Sequence, residues 1–134
     1  MKVDLRTLYE NLSFIMDAKY SGTIHFPELI EWLYRQIKIY SDLPTFMYDL
    51  IDSHEEGDIF RRIPLPHSKY IYTNLSNSEH RALIGIAYKR GLYTKEDPCD
   101  VCTEKTALKN LEKNPHILER FKQTFPFIKL EWGE

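Results

Sequence analysis

Long apolar runs are missing from this chain. No stretch approaches the roughly twenty apolar residues that cross a bilayer, and Met1-Lys-Val-Asp-Leu-Arg6 lacks the apolar centre of a signal peptide. A cytoplasmic chain that does not enter the membrane is therefore expected. Cysteine is scarce: Cys99 and Cys102 are the only two, too close together to staple distant segments, which excludes a disulfide scaffold. The five glycines form neither Gly-x-Gly-x-x-Gly nor a phosphate loop. His25, His54, His67, His80 and His116 are scattered, without metal-binding spacing or a nucleophile–base arrangement. A basic stripe, the footprint of a general nucleic-acid binder, is also lacking. These absences favour a non-catalytic chain without a cofactor, whose partner is not nucleic acid.

What is present describes an ordinary globular domain. Hydrophobic residues are 43% and charged residues 28% of the 134, enough apolar material for a core and too little net charge for disorder. No low-complexity segment or long linker interrupts the chain, so one domain over 1–134 is expected. The net charge of −2 hides an asymmetry: residues 1–66 hold seven Lys and Arg against eleven Asp and Glu, while 67–134 hold eleven against nine. Asp49, Asp52, Glu55, Glu56 and Asp58 crowd into ten residues with no Lys or Arg among them. Such a run serves either as a solvated helix end or as a face for a basic partner.

Helical spacing dominates. Asp4 can cap a first helix with Leu5, Leu8, Tyr9, Leu12, Ile15 and Met16 on one stripe. Pro27 suits the start of a second, running to about Tyr40 with Leu29, Ile30, Leu33, Tyr34 and Ile37 inward. Phe46, Met47, Leu50 and Ile51 line a third, ending near Glu55. Ile63-Pro-Leu-Pro66 cannot continue a helix, and Ser68-Lys-Tyr-Ile-Tyr-Thr73 has strand-like composition. An irregular or short β crossover is expected at about 57–75. Ser76-x-x-Glu79 is a capping box opening a fourth helix that Gly91 closes. Asp97-Pro98-x-Asp100 predicts a fifth start, and Asn114-Pro115 a last helix through about Gln123. Phe127, Ile128, Leu130 and Trp132 in the tail should dock. The fold class is mainly α, a compact bundle of about six helices.

The twelve residues Asp17 to Glu28 have calcium-loop punctuation: Asp first, Gly22 sixth, Ile24 eighth, Glu28 twelfth. Asp52 to Ile63 repeats Asp, Gly57 and Ile59 in register. In arrangement and spacing, residues 5–63 resemble a degenerate pair of EF-hands. That resemblance implies a structural or sensory module with Asp17, Ser21, Thr23 (through its carbonyl) and Glu28 as ligands. Lys19 departs from the pattern by placing an ammonium at the third position, Ile63 replaces the last acid of the second frame, and Pro64 and Pro66 forbid its exit helix.

Cys99-Asp-Val-Cys102 at a predicted helix start would put both thiols on one face with the macrodipole lowering the pKa of Cys99. It has no strand before it and no further ligand set, so two partly buried thiols are expected. Tyrosine is more telling. Tyr20, Tyr40, Tyr48, Tyr70, Tyr72 and Tyr93 fall near predicted element ends or off the core stripes, where tyrosine often serves interfaces. The opening pattern of helix, Ser21-Gly-Thr-Ile24 turn and Phe26-led helix also resembles, over residues 5–40, small helical bacterial immunity proteins that neutralise toxins. The resemblance implies an inhibitor of a protein partner. On it, Tyr48, Asp49, Asp52, Glu55, Glu56 and Asp58 are the residues expected to meet a basic surface.

Overall fold

The computed structural model describes residues 1–54, 59 and 61–130. Helices carry the fold, and no strand occurs among the described residues. In chain order they are α1 (Leu5–Tyr20), α2 (Phe26–Ile39), α3 (Phe46–Leu50), a 3₁₀ turn at His67–Tyr70, α4 (Asn77–Lys89), α5 (Glu104–Lys113) and α6 (Pro115–Thr124). No helix among the described residues is long and apolar enough to cross a membrane. Backbone contacts group them into two compact units. Unit 1 comprises Met1–Lys19 with His25–Thr73, and unit 2 comprises Tyr20–Ile24 with Asn74–Glu134.

Unit 1 begins with Asp4, whose carboxylate accepts from the Thr7 hydroxyl at 2.7 Å and whose carbonyl starts the helix ladder to Leu8. The Thr7 hydroxyl, followed by the amides of Thr7 and Arg6, holds the Asp4 carboxyl below its usual range. The expected stripe on α1 is too narrow: every residue from Leu12 to Ala18 is buried, whereas Leu5 is exposed. On α2 the buried stripe is Leu29, Trp32 and Leu33, three or four residues apart. Tyr34, expected inward, faces solvent because it lies one position past that stripe. The third helix stops at Leu50, earlier than predicted, and Ile51-Asp52 forms a turn. The Val3 amide donates to Asp42 Oδ1 at 2.8 Å, tying the start of the chain beside the α2–α3 loop.

The short β crossover is absent from the described part of residues 57–75; the irregular alternative is what forms. Ile71 buries its side chain, but its neighbour needs no partner strand. The Tyr72 amide donates to Ser13 Oγ at 3.2 Å, and Ser13 Oγ in turn donates to the Tyr9 carbonyl at 2.8 Å. A serine inside a helix thus takes the place of a ladder neighbour for that amide.

In unit 2 the capping box forms as read. Ser76 N–H donates to Glu79 Oε1 at 2.8 Å, and Glu79 N–H to Ser76 Oγ at 3.1 Å. At the other end Gly91, at φ 76°, takes the left-handed conformation. The Leu92 and Gly91 amides reach back to the Ala87 and Tyr88 carbonyls in a Schellman closure. Between these stops, Ala82 to Tyr88 are buried without interruption, so α4 is the central helix of its unit. It packs closely on α5 at Gly85, where a Cβ would stand 2.7 Å from the Ala107 carbonyl oxygen. Ser78 Oγ donates to Asn110 Oδ1 and accepts from Asn114 Nδ2, each at 2.8 Å, fastening the same pair of helices. Ile117 and Phe121 are buried on α6, with Phe125 following. Beyond Phe125, Phe127, Ile128 and Leu130 are half-buried, and Trp132 lies outside the described residues.

The fifth helix does not start at Asp97-Pro98. Thr103 is its N-cap, accepting from the Thr106 amide at 3.4 Å, and residues 92–103 remain irregular. An acid and a proline favour a helix start, but they do not compel one when the following residues are needed to cover α4.

Candidate functional site

The α1–α2 turn supplies five of the twelve residues of the first calcium-loop frame, and it is structurally occupied. Gly22 has φ 77°, and any Cβ there would collide with the Tyr93 ring. Tyr93 donates its hydroxyl to the Ser21 carbonyl at 3.0 Å. Thr23 is fully buried, its hydroxyl donating to the Leu83 carbonyl at 2.7 Å. Its own carbonyl, the one a calcium ion would need, accepts from Arg90 Nη1 at 2.6 Å. Ser21 Oγ and Thr23 Oγ1 are hydrogen-bonded at 2.8 Å. Elsewhere in the frame, Asp17 is buried on α1, and Glu28 Oε1 accepts the His25 amide at 2.8 Å as a cap for α2. The turn that resembles a cation loop thus presents its Thr23 carbonyl to a guanidinium. Among the described residues no group of three or more His, Cys, Asp or Glu is placed to hold a metal ion. In the second frame Ile59 and Ile63 are buried, while Gly57 lies outside the described residues.

The cysteine pair sits in the irregular segment before α5, not at a helix start, so the macrodipole argument for Cys99 fails. Both thiols are half-buried and reduced. With Tyr93 they pack on a core of Ile84, Tyr88 and Ala107. The Tyr88 hydroxyl accepts the Cys99 amide at 3.0 Å and donates to the Cys102 carbonyl at 3.2 Å, pinning both ends of the tetrapeptide. Burial, then the neighbouring Cys99, pushes the Cys102 thiol up, with Arg81 opposing. Burial and then Cys99 push the Tyr93 phenol up to about 12. A thiol pushed up in this way is poorly suited to nucleophilic work at neutral pH.

The acidic, Tyr-bearing stretch is placed in unit 1. Tyr48 and Asp49 are on α3, and Asp52 is in the turn after it. All three are exposed, Tyr48 at 44%. None of their side chains makes an ion pair or hydrogen bond with a described residue. Arg62 approaches the stretch but donates to the Asp49 backbone carbonyl at 3.2 Å, leaving the carboxylate free. Glu55, Glu56 and Asp58 lie outside the described residues.

A row of rings that the sequence did not reveal links α3, α1 and the 3₁₀ turn of unit 1. Phe46 of α3 lies 4.7 Å from His67, His67 lies 5.8 Å from Tyr9, and Tyr9 stacks on Tyr70 at 5.4 Å. The Tyr9 hydroxyl is 2.7 Å from His67 Nδ1, and burial, followed by Tyr70, raises the Tyr9 pKa. Tyr70 and Tyr72 remain 54% and 65% exposed. The only sequence signal was the off-stripe position of Tyr70 and Tyr72; the pairing of Tyr9 with residues about sixty positions away had none. Comparison of the chain with protein-family models, with curated proteins and with solved structures gives no match.

Proposed function

We propose that the protein is a non-catalytic binding domain that blocks a basic protein partner, in the manner of an immunity-type inhibitor, through the acidic, Tyr-bearing surface of unit 1. The observation that carries this reading is the state of Tyr48, Asp49 and Asp52: exposed, adjacent and unengaged. Tyrosine offers large amphipathic contact area with few torsions to freeze. Two carboxylates without an ion-pair partner among the described residues attract a basic surface and disfavour an acidic one.

The test begins with partner capture and then measures association kinetics. Reversing Asp52, Glu55 and Glu56 to lysine should slow association roughly tenfold while circular dichroism stays unchanged. Wild-type association should also slow as salt rises, because exposed charges are screened over about 8 Å at physiological ionic strength. An association rate indifferent to both manipulations would sink the proposal and leave the acids as solvated surface.

A further inference from the structure

Unit 2 contains a cavity of about 280 Å³ between Tyr20-Ser21 and the first two turns of α4. Its polar lining is Tyr20, Ser21, Asn77, His80 and Arg81, with Ile84 and Val101 as apolar wall. No carboxylate of the described residues lines it, although the chain as a whole is acidic. Arg81 is half-buried, and its guanidinium makes no ion pair or hydrogen bond with a described residue. Its one recorded influence is on the Cys102 thiol. A half-buried arginine whose donors no described protein group answers leaves its planar fork open to an anion. The Tyr20 hydroxyl and the Asn77 amide are likewise unengaged by described residues.

We propose that this cavity is a binding site for a phosphate-type oxyanion. Arginine provides the planar fork that phosphate oxygens accept in pairs. Tyr20 and Ser21 come from the end of α1 and the turn after it, and Asn77, His80 and Arg81 from α4, so donors of two segments meet at one cavity. The one acid in this turn of α4, Glu79, is engaged elsewhere: its carboxylate accepts the Ser76 amide and lies 2.7 Å from His116 Nε2. Glu79's own amide is taken by Ser76 Oγ, so the site depends on side chains more than on free helix amides. The volume is just under the roughly 300–1,000 Å³ of sites for drug-sized ligands, leaving room for a phosphate and the first atoms of an ester.

Isothermal titration of the full chain with inorganic phosphate, at constant ionic strength, should show saturable binding at one site. Arg81→Gln should weaken it by about tenfold or more, Arg81→Lys by less, and Lys109→Gln, on an exposed position of α5, should leave it unchanged. O-phosphoserine binding more tightly than phosphate would assign the site to phosphomonoesters; the reverse order would assign it to the free anion. If Arg81→Gln fails to fold, Arg81→Lys against Lys109→Gln decides. Unsaturable heats, or equal losses in the Arg81 and Lys109 variants, would overturn the proposal.

Discussion

Unit 2 spends its side chains on closing itself, whereas unit 1 leaves tyrosine at its surface. In unit 2 a capping box, a Schellman closure, a polar clamp of Ser78, Asn110 and Asn114, and a helix contact as tight as Gly85 on Ala107 all serve the fold. Its exposed large apolar side chains among the described residues are Tyr20 and Val101. Unit 1 exposes Tyr34, Tyr48, Tyr70 and Tyr72 and holds Asp49 of α3 and Asp52 of the turn after it, whose carboxylates no described residue engages. Exposed aromatic area contributes little to folding, which is why the proposed contact is placed in unit 1.

The most severe way to break the contrast is at Gly85. Gly85→Leu should cost about 3 kcal/mol, because the first added atom meets a backbone oxygen that cannot rotate away. Even Gly85→Ala should cost about 1–2 kcal/mol, although alanine is the better helix former by ~1 kcal/mol. Urea denaturation measures both; a stabilised alanine variant would show that the helices part easily.

Next in size is the cap. Glu79→Gln should cost about 1 kcal/mol near neutral pH. The Ser76 amide first, and then His116, hold the Glu79 carboxyl below its ordinary value. A depressed pKa contributes stability above the unfolded value that is lost as pH falls through the folded one. The gap between wild type and variant should therefore close on acidification below about pH 4. A gap independent of pH would place the effect elsewhere than on the carboxylate.

Tyr93→Phe removes a hydrogen bond worth about 1 kcal/mol. It also tests the phenol that is pushed up to about 12. Because the folded value is the higher one, the stability linked to it is present below the ordinary pKa of about 10 and lost between there and about 12. Ultraviolet titration should show one late-ionising tyrosine fewer in the variant than in the wild type.

Smaller still, Tyr48→Ala should change stability by no more than about 0.5 kcal/mol while hastening dissociation from a captured partner. A large loss of stability would move Tyr48 from the recognition surface into the fold. Calcium sets the lower limit. With the Thr23 carbonyl accepting from Arg90 and Lys19 in the third position of the frame, millimolar calcium should leave the melting temperature unchanged. A rise of several degrees would show metal binding through linkage.

Local signals were legible where they act locally. Ser76 with Glu79, Gly91 and Asn114-Pro115 each mark a helix end because the bonds they form span only a few residues. Gly22 was legible as a turn but not as a seat for Tyr93, and the calcium-like spacing of its frame carried no hint that Arg90 would take the Thr23 carbonyl. Asp97-Pro98 misplaced a helix start because the same residue types also suit an irregular covering segment. Of the recognition surface, the acids and Tyr48 were readable as a run, whereas the stack of Tyr70 on Tyr9 joins residues sixty-one positions apart.

By itself the sequence determined the mainly helical class, most helix boundaries and the placement of acid in the first half, since periodicity, caps and charge are properties of neighbouring residues. Only the tertiary structure decided that Ser13 would replace a strand for Tyr72, that Gly85 would admit α5, and that Arg81 would face a cavity without a partner. Those outcomes depend on which distant groups arrive within hydrogen-bonding or van der Waals range, and interactions so short-ranged leave no trace in linear spacing.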